Sequence, residues 1–131
     1  MNKDKICIIA GMPRTGTTFL YYNMQRHPSI FVTIMKETDF FSLNYDRGFN
    51  WYGSLYEKMM PGQVGFDISP LYFQYNKLSI ERIREFNPSA KVILTVREPV
   101  SWICSLYNSQ MSLMFKKIDF SEFIKGYDYV K

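Results

Sequence analysis

Short apolar runs alternate with longer segments of mixed polarity along this chain of 131 residues. The first apolar run, residues 6–10, lies between Lys5 and Gly11, which is typical of a strand buried on both faces of a parallel sheet. The same kind of pattern predicts three further strands, at residues 30–34, 64–68 and 91–96.

Helical periodicity fills the segments between these strands. A first helix is predicted at residues 17–26 and ends before Pro28, because the residue that precedes a proline disfavours helical backbone. The other helices are predicted at residues 49–59, 77–86, 99–115 and, as a short amphipathic tail capped by Ser121, 119–125. Strands that alternate with helices favour an α/β fold, a parallel sheet with flanking helices.

Length and composition narrow the organisation to one domain, residues 1–131. The chain is long enough for one hydrophobic core and too short for two ordinary domains. Its net charge of +4 is scattered rather than gathered into runs, so a small polyanionic ligand suits it better than nucleic acid. We expect no nucleic-acid partner.

The N-terminal segment and the two cysteines lead to expectations about cellular location and thiol chemistry. The polar start followed by a short apolar run predicts neither a signal peptide nor a membrane span, so we expect a cytoplasmic protein with no membrane partner. Cys7 and Cys104 stand in apolar segments and are expected to be buried thiols rather than disulfide or metal ligands.

The loop at residues 11–18, Gly-Met-Pro-Arg-Thr-Gly-Thr-Thr, joins the first strand to the first helix. This arrangement is typical of a P-loop, in which backbone N–H groups and the helix N-terminus surround a phosphate. Thr17 stands where an ATP-binding loop has its lysine, which disfavours a nucleotide kinase. Arg14 supplies a planar cation suited to phosphate or sulfate oxygens. A Gly-Pro turn that only connects two elements is the alternative.

A second informative segment follows the strand predicted at residues 91–96. Arg97 stands at the carboxyl edge of the sheet, where open α/β folds bind ligands, and Ser105 lies two turns into the next helix. Both side chains can therefore face one ligand. The alternative is a surface Arg97 that pairs with Glu98.

Together, the two segments resemble the PAPS-dependent sulfotransferase family over about residues 5–112. The stretch from Lys36 to Phe41 and the pair Trp51-Tyr52 resemble its carbohydrate branch, which includes heparan sulfate and bacterial enzymes. The resemblance implies a P-loop NTPase-like sulfotransferase fold. Because the match is to the N-terminal portion of the family, we expect that fold to be incomplete.

The resemblance also implies the ligand and the residues that hold it. The co-substrate would be 3′-phosphoadenosine-5′-phosphosulfate (PAPS) and the product 3′-phosphoadenosine-5′-phosphate (PAP), with no metal. The predicted contacts to the nucleotide come from Arg14, Thr15, Gly16, Thr17 and Thr18 at its 5′ end and from Arg97 and Ser105 at its 3′-phosphate.

Two residues are predicted to be catalytic by the same resemblance. Glu37 matches the general base of the family, which accepts the proton of the acceptor hydroxyl, and Arg14 stands where many relatives have a lysine that stabilises the leaving oxygen. Asp39 is the second candidate for the base. A Glu37 that merely pairs with Lys36 is the alternative. Ile68 stands where the heparan branch usually has another lysine.

The sequence thus predicts a sulfotransferase that transfers a sulfuryl group from PAPS to a hydroxyl or amine of a carbohydrate or small molecule. A non-catalytic nucleotide-binding or interaction module of the same fold stays open, and so does a homo-oligomer that completes the site. An aromatic cluster is predicted to be core rather than a platform for sugar rings, namely Trp51, Tyr52, Tyr56, Tyr72, Phe73 and Tyr75.

Overall fold

Four parallel strands form the centre of the fold in the computed structural model, which describes residues 2–114 and 118–126. The strands are β1 (Ile6–Ile9), β2 (Ile30–Val32), β3 (Val64–Ile68) and β4 (Lys91–Ile93), in the order β2-β3-β1-β4. The predicted α/β class and the parallel sheet are confirmed.

The register places the carboxyl ends of the central strands side by side. Ile9 of β1 lies opposite Ile68 of β3 and opposite Ile93 of β4. The segments that follow these three strands therefore meet at one edge of the sheet, as expected for ligand sites of parallel sheets.

Six α-helices surround the sheet in the described residues: α1 (Thr17–Met24), α2 (Gly48–Ser54), α3 (Leu71–Gln74), α4 (Asn76–Phe86), α5 (Pro99–Leu113) and α6 (Phe120–Gly126). The sequence pattern did not predict the single turn α3. Helix α2 is shorter than predicted because residues 55–58 form turns, and a further turn follows at Pro61 and Gly62, where the φ of Gly62 is +91°. The predicted end of α5, at residue 115, lies outside the described residues.

Side chains of β1 alternate between two apolar layers. Ile6, Ile8 and Ala10 face a large aromatic core formed with the loop before α2 and with helices α2, α3 and α4. Ile9 faces the opposite layer, with Tyr21 of α1. Three of the aromatics predicted to be core, Tyr52, Tyr56 and Tyr72, are buried in the first layer.

Strand β4 forms an edge of the sheet, and its apolar side chains are exposed. Val92 and Ile93 expose 48% and 45% of their surface, and Leu94, which follows the strand, exposes 56%. The strand predicted at 91–96 ends at Ile93 because its continuation turns toward the loop after β1, where backbone and Thr95 side-chain contacts replace strand pairing.

Two smaller expectations are wrong. The Oδ1 atom of Asp119 accepts hydrogen bonds from the backbone N–H and the hydroxyl of Ser121, so Asp119 caps α6 in place of Ser121. Cys104 is exposed, because its side of α5 is not covered, and Cys7 is only partly buried. No helix in residues 2–114 and 118–126 is both long and apolar enough to cross a membrane.

Candidate functional site

The loop at residues 11–18 leads from β1 into the N-terminus of α1. Gly16 precedes the helix with a φ of +89°, a left-handed conformation that glycine adopts at little cost. Arg14 adopts a φ of +70°, which is uncommon for a residue with a side chain. The first N–H groups of α1 have no partner within the helix, so this end of α1 favours an anion.

The loop is fastened to the segment that follows β4. The N–H of Met12 donates to the carbonyl of Thr95 at 3.3 Å, and the hydroxyls of Thr15 and Thr95 are 2.7 Å apart. The Thr15 hydroxyl also donates to the carbonyl of Met12 at 2.6 Å. These bonds hold the Thr15 hydroxyl within the loop, and the predicted contact of Thr15 to the nucleotide stays a prediction.

The close approach of Thr95 to the loop leaves no room for a side chain at Gly11. A Cβ atom at residue 11 would overlap the Thr95 hydroxyl oxygen and would lie 3.2 Å from that of Thr15. We expect Gly11→Ala to lower the free energy of unfolding by about 1–3 kcal/mol, measured in urea, because the threonine pair must separate.

Gly53→Ala is the matched control, since an added Cβ there meets nothing within 4 Å and residue 53 lies in helix α2. This variant should be as stable as the wild type or more stable by up to about 1 kcal/mol. Equal stability of the two variants would show that the contact between Gly11 and Thr95 does not constrain the loop.

Helix α5 contacts the loop from its other side. The indole N–H of Trp102 donates to the carbonyl of Pro13 at 2.8 Å, and Nη1 of Arg97 donates to the carbonyl of Arg14 at 3.3 Å. Nε of Arg14 donates to the hydroxyl of Ser105 at 3.3 Å. Residues that are far apart in the sequence thus meet around Arg14.

The carboxylate of Glu98 caps α5 instead of pairing with Arg97. Its two oxygens accept hydrogen bonds from the backbone N–H groups of Val100 and Ser101 at 2.9 and 2.7 Å. These bonds hold the pKa of Glu98 below its usual value. The Arg97 side chain is therefore available to a ligand, and the alternative in which it only pairs with Glu98 is not supported.

The loop between β2 and α2 contributes two carboxylates. Glu37 and Asp39 have φ angles of +61° and +47°, and together with Arg14 they are the non-glycine residues with positive φ in the described part of the chain. Backbone strain of this kind is frequent at functional sites. Glu37 forms an ion pair with Lys36, which was the alternative interpretation of the sequence. Glu37 also lines the ligand cleft described next.

A cleft of about 490 Å³ brings the predicted residues together at the carboxyl edge of the sheet. It is lined by Pro13, Arg14, Gly16, Thr17, Thr18, Glu37, Pro70, Leu71, Arg97 and Ser105. All predicted site residues except Thr15 are in this set. Pro70 and Leu71 are additions that no sequence pattern indicated, apart from their position after β3.

Asp39 follows Glu37 by two residues and carries a perturbed carboxyl group. Burial, followed by the negative charges of Glu37 and Asp67, raises the pKa of Asp39 from 3.8 to about 7, while Lys36 opposes the rise. Its Oδ1 atom is buried and has no hydrogen-bond partner among the described residues. A carboxyl with such a pKa exchanges its proton near neutral pH.

This raised pKa predicts a pH dependence of stability. The folded chain binds the Asp39 proton more tightly than the unfolded chain, so the stability contributed by the protonated group is lost as pH rises from about 4 to about 7. Asp39→Asn removes that loss. In urea unfolding, the variant should gain stability relative to the wild type between pH 5 and pH 8.

The comparison near pH 4 is the internal control, because the carboxyl is then largely protonated in the folded wild type and the difference between the two proteins should be smallest. A difference in unfolding free energy that stays constant from pH 4 to pH 8 would contradict the raised pKa.

Asp67 is a buried carboxyl that the sequence-based site did not include. It lies in β3 and accepts hydrogen bonds from side-chain hydroxyls of the surrounding elements. Its signal in the sequence was an ionisable residue inside the apolar run at 64–68, since such residues are rarely buried without partners. The partners themselves come from separate elements and were not predictable.

Known proteins resemble this chain in sequence. The model of the sulfotransferase domain matches residues 4–127. Human heparan sulfate glucosamine 3-O-sulfotransferase 6 is 32% identical over 105 residues, which are 80% of this chain and 30% of the relative. Human heparan sulfate glucosamine 3-O-sulfotransferase 5 is 34% identical over 102 residues, 76% of this chain and 29% of the relative. The chain thus spans less than a third of these relatives.

A solved structure resembles the fold as well. The crystal structure of a sulfotransferase from Alicyclobacillus acidocaldarius superposes with a TM-score of 0.80 and 20% sequence identity, over 95% of this chain and 57% of that one. From the match over residues 4–127 and these relatives, the chain belongs to the sulfotransferase family.

Proposed function

We propose that this protein binds PAPS in the cleft and transfers its sulfuryl group to a hydroxyl group of a carbohydrate acceptor. One observation carries the proposal: an anion-binding loop, two arginines and a carboxylate line a single cleft although they are distant in the sequence. Family membership supports a transferase. The donor and the acceptor are the proposed parts.

The 5′ end of the nucleotide would lie at the N-terminus of α1. Gly16, Thr17 and Thr18 line the cleft there, and the backbone N–H groups at the start of a helix of this length favour a phosphate. Arg14 adds a fixed positive charge beside them. This set of donors fits a phosphosulfate group, whose oxygens accept hydrogen bonds and carry negative charge.

The 3′-phosphate would lie between Arg97 and Ser105. The Arg97 guanidinium keeps further N–H donors beyond the one that reaches the Arg14 carbonyl, because the group has five in all. Ser105 lies on the next helix within reach of Arg14. A second phosphate contact at Arg97 and Ser105 would distinguish a 3′-phosphorylated nucleotide from ATP.

The transfer step uses residues of the same cleft. An acceptor oxygen attacks the sulfur, Glu37 accepts the hydroxyl proton, and the bond between the sulfur and the bridging oxygen of the 5′-phosphate breaks. The electron pair stays on that phosphate, so PAP leaves with the added negative charge. Arg14 would stabilise this charge electrostatically but would not protonate it, since arginine stays charged.

Carbohydrate is the proposed acceptor because relatives similar to this chain in sequence are named heparan sulfate glucosamine 3-O-sulfotransferases. Pro70 and Leu71 also line the cleft and would contact the acceptor. The core aromatics Tyr52, Tyr56 and Tyr72 are buried and do not offer a stacking surface for a sugar.

The proposal is tested by sulfuryl transfer from labelled PAPS to a panel of heparan-type oligosaccharides, simple alcohols and phenols. We expect labelled product with at least one oligosaccharide, together with stoichiometric PAP. Binding of PAP without transfer to any acceptor would favour a non-catalytic nucleotide-binding module. Tighter binding of ATP with magnesium than of PAP would exclude the proposal.

A further inference from the structure

Asp67 lies at the centre of a buried cluster of hydroxyl groups. Its side chain is fully buried, and it takes part in no recorded ion pair among the described residues. Four hydroxyls donate to its carboxylate: Ser69 to Oδ1 at 2.7 Å, and Thr38, Tyr52 and Tyr72 to Oδ2 at 2.9, 3.0 and 2.7 Å. Burial raises the pKa of Asp67, and these hydrogen bonds oppose the rise.

Three of these four hydroxyl oxygens also accept backbone hydrogen bonds from consecutive residues of the loop that carries Glu37. The pairs are Asp39 N–H to Ser69 at 3.1 Å, Phe40 N–H to Thr38 at 3.3 Å, and Phe41 N–H to Tyr72 at 3.3 Å. The fourth hydroxyl, of Tyr52, instead lies 3.1 Å from the hydroxyl of Tyr56.

The number of available protons links the hydrogen bonds to Asp67 with the hydrogen bonds from the loop backbone. Each hydroxyl has one proton to donate, and an ionised carboxylate only accepts. When all four protons point to Asp67, the oxygen lone pairs of Ser69, Thr38 and Tyr72 remain for the three backbone N–H groups. A side chain at residue 67 with N–H donors of its own would force at least one hydroxyl to reorient.

We propose that Asp67 is a positioning residue for the candidate base. Through the three hydroxyls it holds the backbone of residues 39–41 and thereby maintains the left-handed conformations of Glu37 and Asp39 that aim Glu37 into the cleft. The catalytic consequence rests on the proposed function, whereas the network itself can be tested without turnover.

Two tyrosines that donate to the same oxygen of Asp67 provide a matched pair of variants. Tyr72→Phe removes the acceptor of the Phe41 N–H, so hydrogen exchange at that amide should accelerate by about 10-fold to 100-fold. Tyr52→Phe removes a donor to Asp67 but no acceptor of a loop amide, and should leave Phe41 protected relative to a reference amide in α4.

Ser69→Ala extends the same test to the amide of Asp39, because the Ser69 hydroxyl oxygen accepts the hydrogen bond of the Asp39 N–H. We expect faster exchange at Asp39 and little change at Phe41. Unchanged protection of Phe41 in Tyr72→Phe, or equal release in both tyrosine variants, would overturn the inference. Each comparison is made against the α4 reference, so a general loss of stability is separated from local release.

Asp67→Asn tests the catalytic consequence. A small displacement of a catalytic group costs about 100-fold in rate, so kcat should fall by that order while KM and the affinity for PAP stay unchanged. A fall in kcat without faster exchange at residues 39–41 would overturn the positioning role. If the wild-type chain transfers no sulfuryl group, the proposed function fails, and the exchange results of the tyrosine variants decide this inference alone.

Discussion

Glu37→Gln is expected to lower the rate of sulfuryl transfer by about 100-fold to 10,000-fold, because a glutamine cannot accept the proton of the acceptor hydroxyl. The substitution keeps the size of the side chain and removes its charge. Glu37 lines the cleft from a loop separate from the phosphate loop, so the affinity for PAP should stay close to that of the wild type. The measurement is kcat for labelled transfer beside a PAP titration of the same preparation.

Glu57→Gln is the control, since Glu57 is an exposed carboxylate that does not line the cleft, and this variant should keep full activity. Full activity of Glu37→Gln together with a large loss in Asp39→Asn would assign the base to Asp39, whose pKa of about 7 also suits proton transfer. Loss of PAP affinity in Glu37→Gln would instead indicate a role in binding.

Phe40→Ala is expected to lower the free energy of unfolding by about 3–5 kcal/mol, measured in urea. The ring of Phe40 is fully buried and stacks on that of Tyr52, with centroids 4.4 Å apart. It also contacts the rings of Phe41, Tyr45, Phe49 and Trp51. Removing it opens a cavity at the centre of the aromatic core.

Phe19→Ala is the matched control, because 71% of the surface of Phe19 is exposed and its loss should cost less than about 0.5 kcal/mol. Equal effects of the two substitutions would contradict the placement of Phe40 in the core. Since small domains are stable by roughly 5–15 kcal/mol, the expected loss is a large share of the total.

The elements of the fold were predictable where the hydrophobic pattern reports burial on both faces. Strand β3 has the predicted bounds, and β1 differs by one residue, because both lie inside the sheet. Residues 91–96 looked equally apolar, yet β4 ends at Ile93 and its side chains are exposed. Composition alone does not tell a central strand from an edge strand, because that difference depends on which strands pair.

The site was predictable where its residues are neighbours in sequence and less so elsewhere. The glycines and Arg14 of the loop at 11–18 indicate a turn with a positive charge, and Arg97 follows a recognisable strand. The hydrogen bonds of Thr15 to Thr95 and the hydroxyl cluster around Asp67 join residues that are distant along the chain. Such partners are set by the packing of the sheet and leave no local pattern.

The most direct test of a PAPS site is a calorimetric titration of the wild type and Arg97→Ala with PAP and with adenosine 5′-phosphate, which differs from PAP only by the missing 3′-phosphate. A guanidinium that binds the 3′-phosphate predicts that the wild type prefers PAP by about 10-fold to 100-fold. Arg97→Ala should lose this preference. Equal affinity of the wild type for the two ligands, or no heat of binding with PAP at low salt, would contradict the account.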